Sequence, residues 1–250
     1  MENNRKSKNH DKGSTLYQVS LLQALTYGDY SGSVLVGELK EHGNTGIGTF
    51  DGVNGELIML NGEVYRALGD GSVEVVSNDE TTPFAAVAHM NAHSFKKLNE
   101  LPNYNSLNDE LNKLVKENGE NRFYMIRIDG LFHKINVRSV PKQKEPYKRL
   151  VDVLEEQQTF FDYENIEGTM VGLYCPPYMS HLNATGWHTH FISKDKTKGG
   201  HVLGVNIADG LISIKAIDSL ELKLPQTQKF NSFDFTVDQS KDIEKVEKNK

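Results

Sequence analysis

The stretch Gly186-Trp187-His188-Thr189-His190-Phe191-Ile192-Ser193-Lys194-Asp195-Lys196-Thr197-Lys198-Gly199-Gly200-His201-Val202-Leu203 decides how this chain is read. In a β-strand alternate side chains share a face, so His188 and His190 project together. Lys194 to Lys198 is polar and holds no apolar anchor, which suits a hairpin turn. With Asp195 and Lys196 as the two turn residues, Lys194 pairs with Thr197 and His190 falls opposite His201. Cross-strand partners share a face at a spacing of about 5 Å. This register brings three imidazoles to one point, and a slip of one residue would break it.

Three neutral imidazoles with a vacant fourth position suit a catalytic zinc site better than a structural one. Manganese, cobalt, nickel and iron accept the same ligands. The competing reading is a pair of surface or core histidines with no metal. A cupin-like oxygenase or isomerase is the alternative metal enzyme, since those barrels also use His-x-His. Their glutamate follows after three or four intervening residues, where this chain has Lys194 and Asp195. His181 is the one substitute ligand the sequence offers.

Working outward, 250 residues suffice for a substantial core. Hydrophobic residues at 37% and charged residues at 25% fit a globular protein. A net charge of −6 argues against nucleic-acid binding, which calls for a basic surplus. The single cysteine, Cys175, rules out an intrachain disulfide and any multi-cysteine zinc site. Its Tyr174-Cys175-Pro176-Pro177 setting offers nothing to stabilise a thiolate. No apolar run reaches the roughly 20 residues of a membrane helix. Met1 to Gly13 is polar, without the apolar core of a secretory signal, so a cytoplasmic enzyme is expected. No glycine-rich phosphate loop follows a strand.

Residues 1–13 read as a disordered lead-in. Leu16, Val19, Leu22 and Leu25 at helical spacing predict a short opening helix. Val34 to Val76 reads as short strands with tight turns at Asn61-Gly62 and Asp70-Gly71. Ser106 and Asp109 read as the capping box of a helix carrying Leu107, Leu111, Leu114 and Val115, ended by Gly119. Arg122 to Val140 reads as two strands joined at Asp129-Gly130, and a second helix begins near Pro146. Strand and turn run from about Glu167 to Leu224, and a mixed-charge segment follows Asp238. The fold class predicted is α+β: two packed β-sheet subdomains, residues 14–140 and 141–250, with a few flanking helices and the metal on a hairpin.

Further blocks carry a family signature. They are Gly48-Thr49-Phe50-Asp51-Gly52-Val53-Asn54-Gly55-Glu56-Leu57, Thr82-Pro83-Phe84-Ala85, Arg127-Ile128-Asp129-Gly130 leading to Arg138-Ser139-Val140, and the two histidine blocks above. In this order the chain resembles the α-acetolactate decarboxylase family over nearly its whole length. The resemblance implies zinc on His188, His190 and His201, with Glu56 close to the metal and Arg138 facing the substrate. It also implies a second glutamate near the C-terminus, Glu247, with Glu244 one turn away as its rival, and Thr49 as an additional group. It implies a homodimer that converts (S)-2-acetolactate to (R)-acetoin and carbon dioxide, in acetoin and butanediol formation.

The residue types suit that chemistry. Decarboxylating a β-keto acid leaves an electron pair that the neighbouring ketone accepts, and a Lewis-acidic zinc ion stabilises the resulting enediolate. Arg138 offers a planar fork for a carboxylate. The strand pattern by itself, with Lys134 and Asn136 on the same face, reads Arg138 as an exposed arginine in a surface ion pair. A glutamic acid beside the metal, Glu56 or Glu247, would protonate the product carbon. Without the resemblance, Glu56 reads as a polar hairpin residue and Glu247 as one charge in a solvated tail.

Overall fold

The computed structural model describes residues 14–91 and 94–247, so the lead-in expected at 1–13 lies outside the described residues. The first half runs β1 (Thr15–Val19), α1 (Leu22–Thr26), β2 (Val34–Leu35), α2 (Val36–His42), β3 (Thr45–Thr49), β4 (Glu56–Leu60), β5 (Glu63–Ala67), β6 (Val73–Val75), β7 (Thr81–Thr82), β8 (Ala85–Ala88) and β9 (Ser94–Leu98). Then come α3 (Tyr104–Asn118), β10 (Phe123–Ser139), α4 (Leu150–Gln157), β11 (Thr159–Cys175), β12 (Gly186–Ser193), β13 (Gly199–Ile217), β14 (Ser219–Lys223), α5 (Gln228–Ser232) and α6 (Ser240–Glu247). This is an α+β fold. A seven-stranded sheet has the order β14-β1-β8-β3-β4-β5-β6, and a five-stranded sheet has the order β10-β11-β12-β13-β9. The second sheet closes on itself because β10 pairs with β11 on one edge and with β13 on the other. The sheets share the two halves of the chain: β10 and β11 pair from Tyr124↔Tyr174 to Ser139↔Thr159, and β14 joins the sheet of the N-terminal strands.

Several local expectations change for physical reasons. The opening apolar residues straddle a strand and a helix. Leu16 and Val19 lie on β1, Ser20 turns the chain at φ 60°, and Leu22 and Leu25 follow on α1. Both faces of β1 are covered, Leu16 by the layer between the sheets and Tyr17 and Val19 by a second apolar cluster with Val36 and Leu39 of α2, so its residues are buried without alternation. Asp129-Gly130 is the middle of one 17-residue strand, β10, not a turn. Gly130 pairs with Gly168 on β11 and Gly210 on β13, and a Cβ there would lie 2.3 Å from the Asp209 carbonyl oxygen. The glycine serves close strand approach rather than chain reversal.

The helix carrying Leu107, Leu111 and Val115 starts earlier than the capping box implied. Asn103 is its cap, accepting from the Ser106 N–H at 3.0 Å, and Gly119 ends it as expected. Helix α4 begins at Leu150, four residues beyond Pro146, and α2 occupies part of the stretch read as strands only. Asn61 and Gly62, both at positive φ, make the expected two-residue turn between β4 and β5. The mixed-charge C-terminal segment forms α6, which buries Ile243 and Val246.

Two apolar clusters frame the histidine strands. Between the sheets, Ile47 and Ile58 pack with Met125, Val171 and Ile192. At one end of this layer Leu22 and Leu25 of α1, Leu150, Val153 and Leu154 of α4, and Ile243 and Val246 of α6 form a separate cluster. Full burial of such a side chain stabilises by about 1.5–3 kcal/mol. Polar ties fix α6 there: Gln23 Nε2 donates to the Val237 carbonyl at 2.8 Å, Thr26 Oγ1 donates to Gln239 Oε1 at 2.9 Å, and Arg149 pairs with Asp242.

Candidate metal centre

On β12 the two faces part company. Thr189 and Phe191 turn into the core of the closed sheet, where Phe191 packs with Phe132 and the Thr189 hydroxyl meets Tyr104 Oη at 3.1 Å. His188 and His190 turn the other way, with Ile192, into the layer between the sheets. The turn places Ser193 N–H on the Lys198 carbonyl and Lys196 N–H on the Ser193 carbonyl, and the strands resume with His190 opposite His201. The pairing of His190 with His201 is the expected register, but the chain turns at Lys194-Asp195 and not at Asp195-Lys196, and the Lys194 N–H bonds the Glu167 carbonyl instead of pairing with Thr197. On the far edge of β13, His201 is opposite Arg138 of β10.

The three rings converge. His188 Nε2 lies 3.1 Å from His190 Nε2 and 3.0 Å from His201 Nδ1, and one nitrogen from each ring fits within a 4.8 Å group. His190 Nδ1 is 2.8 Å from the Leu57 carbonyl, which makes it the N–H donor and leaves its Nε2 as a lone pair. His188 Nε2 faces two other ring nitrogens, and one ring N–H can serve only one of them. A shared cation satisfies all three lone pairs together. Tetrahedral zinc with bonds of about 2.0–2.1 Å sets its ligand nitrogens about 3.3 Å apart, close to the two spacings that His188 makes. The donor set therefore fits a divalent metal with open positions, and the Leu57 carbonyl is the kind of partner that fixes a ligand's tautomer.

Burial keeps the His188 and His190 rings neutral, as metal ligands must be. Burial pushes the His188 pKa down to about 3, and the Arg138 charge adds to it. His190 is held well below its ordinary value by burial first and then by His188; the Leu57 bond opposes the shift and Arg138 contributes least.

A cavity of about 40 Å³ opens beside the rings. Strands supply its polar wall: Thr49, Glu56, Arg138, His188 and His201. Thr49 and Glu56 are cross-strand partners at the open ends of β3 and β4, so both side chains reach this wall. Glu56 Oε2 lies 3.5 Å from His190 Nε2, and the Thr49 hydroxyl donates to the Gly55 carbonyl at 2.7 Å. Arg138 is buried, at 5% exposure, which replaces the exposed arginine that strand alternation alone implied. It is covered because Nη2 donates to the Val246 carbonyl at the end of α6, with Gln158 Oε1 3.5 Å from Nη1.

Of the seven residues read from sequence, six meet in this one place. Glu247 closes α6 immediately after Val246, but its side chain lies outside the described residues. Glu244 is exposed on the same helix and lines a separate pocket of about 210 Å³ with His181. His181 stands apart from the histidine cluster. The Leu57 carbonyl, the Val246 carbonyl and the helical leucines of the cavity were not foreseen. Main-chain acceptors leave no trace in a sequence, whereas Ile243 and Val246, one helical turn apart, were a readable signal of a buried face.

The family model described as alpha-acetolactate decarboxylase matches residues 16–237. The alpha-acetolactate decarboxylase of Methanosarcina mazei is 38% identical over 239 residues, covering 96% of this chain and 82% of that relative. Its counterpart from Lactococcus lactis is 38% identical over 234 residues, covering 93% of this chain and 98% of the relative. The crystal structure of the Bacillus subtilis alpha-acetolactate decarboxylase superposes with a TM-score of 0.90 at 34% identity, covering 94% of this chain and all of that one.

Proposed function

Because the chain belongs to the alpha-acetolactate decarboxylase family, we propose that it converts (S)-2-acetolactate to (R)-acetoin and carbon dioxide, with zinc held by His188, His190 and His201. Its reaction class is that of a carboxy-lyase. The observation that carries the proposal is the convergence of three imidazoles, two of which, His188 and His201, share a cavity wall with Glu56 and Arg138, while the third, His190, meets Glu56 at 3.5 Å. A zinc ion on neutral ligands keeps its double charge and supplies Lewis-acid polarisation to oxygens beside it.

The chain's own groups do the rest. The reaction breaks the bond between the carboxylate carbon and its tertiary neighbour, passes the electron pair into the adjacent ketone, and adds one proton to the tertiary carbon. Arg138 binds the departing carboxylate through its guanidinium fork, and its burial keeps that charge undiluted by water. Glu56, against His190, is placed to hold the proton and deliver it to one face of the carbon, which makes the product a single enantiomer. Glu247 is the second glutamate that the family resemblance brings to the site. The apolar residues of α1, α4 and α6 exclude water that would protonate the carbon from either side. The working unit proposed with this reaction is a homodimer, which sedimentation in solution checks.

The test is acetoin formation by purified protein from racemic acetolactate, before and after chelation and after zinc is restored. Activity lost with the chelator and regained with zinc supports the proposal. Acetoin no faster than the spontaneous rate, with zinc present, overturns it.

A further inference from the structure

The cavity beside the histidines has two chemically distinct walls. Strands β3, β4, β10, β12 and β13 contribute its polar groups, and helices α1, α4 and α6 contribute leucine and valine side chains. A substrate that turns its carboxylate, hydroxyl and ketone towards the polar wall must turn its alkyl groups towards the helices. The space there is small: about 40 Å³, only a few times the roughly 10–15 Å³ that one water occupies on the same measure.

Four helical leucines line the cavity: Leu25, Leu150 and Leu154 retain 6%, 5% and 6% exposure, whereas Leu22 beside them is sealed at 1%. Leu25 of α1 and Leu154 of α4 keep the most exposed surface of the four and approach the cavity from two different helices. Both belong to the cluster that packs α1, α4 and α6 together, so their positions are fixed by neighbours and they cannot simply swing aside. We propose that Leu25 and Leu154 determine substrate size, limiting the alkyl group at carbon 2 to little more than methyl. The inference rests on the proposed reaction and adds which residues set its selectivity.

Truncating either leucine to alanine removes three carbon atoms from the apolar wall. One methylene in an apolar pocket discriminates by about 10–200-fold, so room for two more carbons changes preference measurably. The experiment compares kcat/KM for acetolactate and for its 2-propyl homologue in wild type, Leu25→Ala, Leu154→Ala and a control, Leu107→Ala. Leu107 is also buried, at 0% exposure, but it packs in the core of the closed sheet away from the cavity. Each protein is checked for its thermal transition and zinc content, and Leu25→Val and Leu154→Val stand in where an alanine variant fails to fold.

The expected result is a rise of about 10-fold or more in the propyl-to-methyl ratio for at least one cavity variant, with the control at the wild-type ratio. Ratios within about threefold of wild type in both cavity variants, or an equal rise in the control, overturn the inference. A wild-type protein with zinc but no acetolactate activity is a different outcome: it overturns the proposed reaction and this inference with it.

Discussion

Metal-stripped protein should become acid-sensitive through His188, and the effect can be sized from its surroundings. Burial, with the Arg138 charge adding, holds His188 at a pKa of about 3 against the ordinary 6.5. A histidine with a lower pKa in the folded state takes up its proton on unfolding. Above about pH 6.5 the group is neutral in both states and contributes no pH dependence; as pH falls from there towards about 3, protonation favours the unfolded chain. At pH 5 the unfolded state has gained about 1.5 pH units at about 1.36 kcal/mol each, or about 2 kcal/mol relative to pH 8. His190 shifts in the same direction, again through burial first, so the whole protein should lose more than His188 alone accounts for. The assay is urea unfolding of chelated wild type and chelated His188→Asn at pH 8 and pH 5. Wild type should lose about 2 kcal/mol more than the variant over that interval. Equal losses in the two proteins would refute the claim that His188 is buried and neutral.

Glu56→Gln should keep its zinc but lower kcat by about 10²–10⁴-fold, the range for a lost general acid; single-turnover kinetics checks the rate and metal analysis the zinc. Arg138→Lys should lower kcat/KM by about 10-fold or more, because a point charge replaces a fork that fits a carboxylate and also holds the Val246 carbonyl; proteolysis near the C-terminus should quicken as α6 loosens. Gly200→Ala should destabilise by about 1–3 kcal/mol. Its φ is 151°, and a Cβ would sit 2.7 Å from the Arg138 carbonyl oxygen beside His201, so thermal melting should fall together with zinc retention.

The histidine cluster was legible in sequence because its geometry is local. His188 and His190 share a face by strand alternation, and the short polar turn fixes which residue His201 opposes. Glu56 and Arg138 were legible only through family resemblance. Their burial depends on elements distant in the chain: Glu56 meets His190 from another sheet, and Arg138 is covered by a helix more than a hundred residues later. The misread elements have the same cause. Leu16 and Val19 lack alternation because apolar layers on both sides of the sheet bury both faces of β1. Asp129-Gly130 carries turn residues, yet Gly130 answers to the close approach of β13. The Glu244–Glu247 region reads as a solvated tail until α1 and α4 are present to receive Ile243 and Val246.

Anomalous diffraction at the zinc edge, on crystals grown with zinc, tests the centre itself. One strong peak per chain should appear about 2.0–2.1 Å from a nitrogen of each of His188, His190 and His201. A peak at some other group of residues, or none between these rings in fully loaded protein, would contradict the assignment of this cavity as a metal-dependent active site.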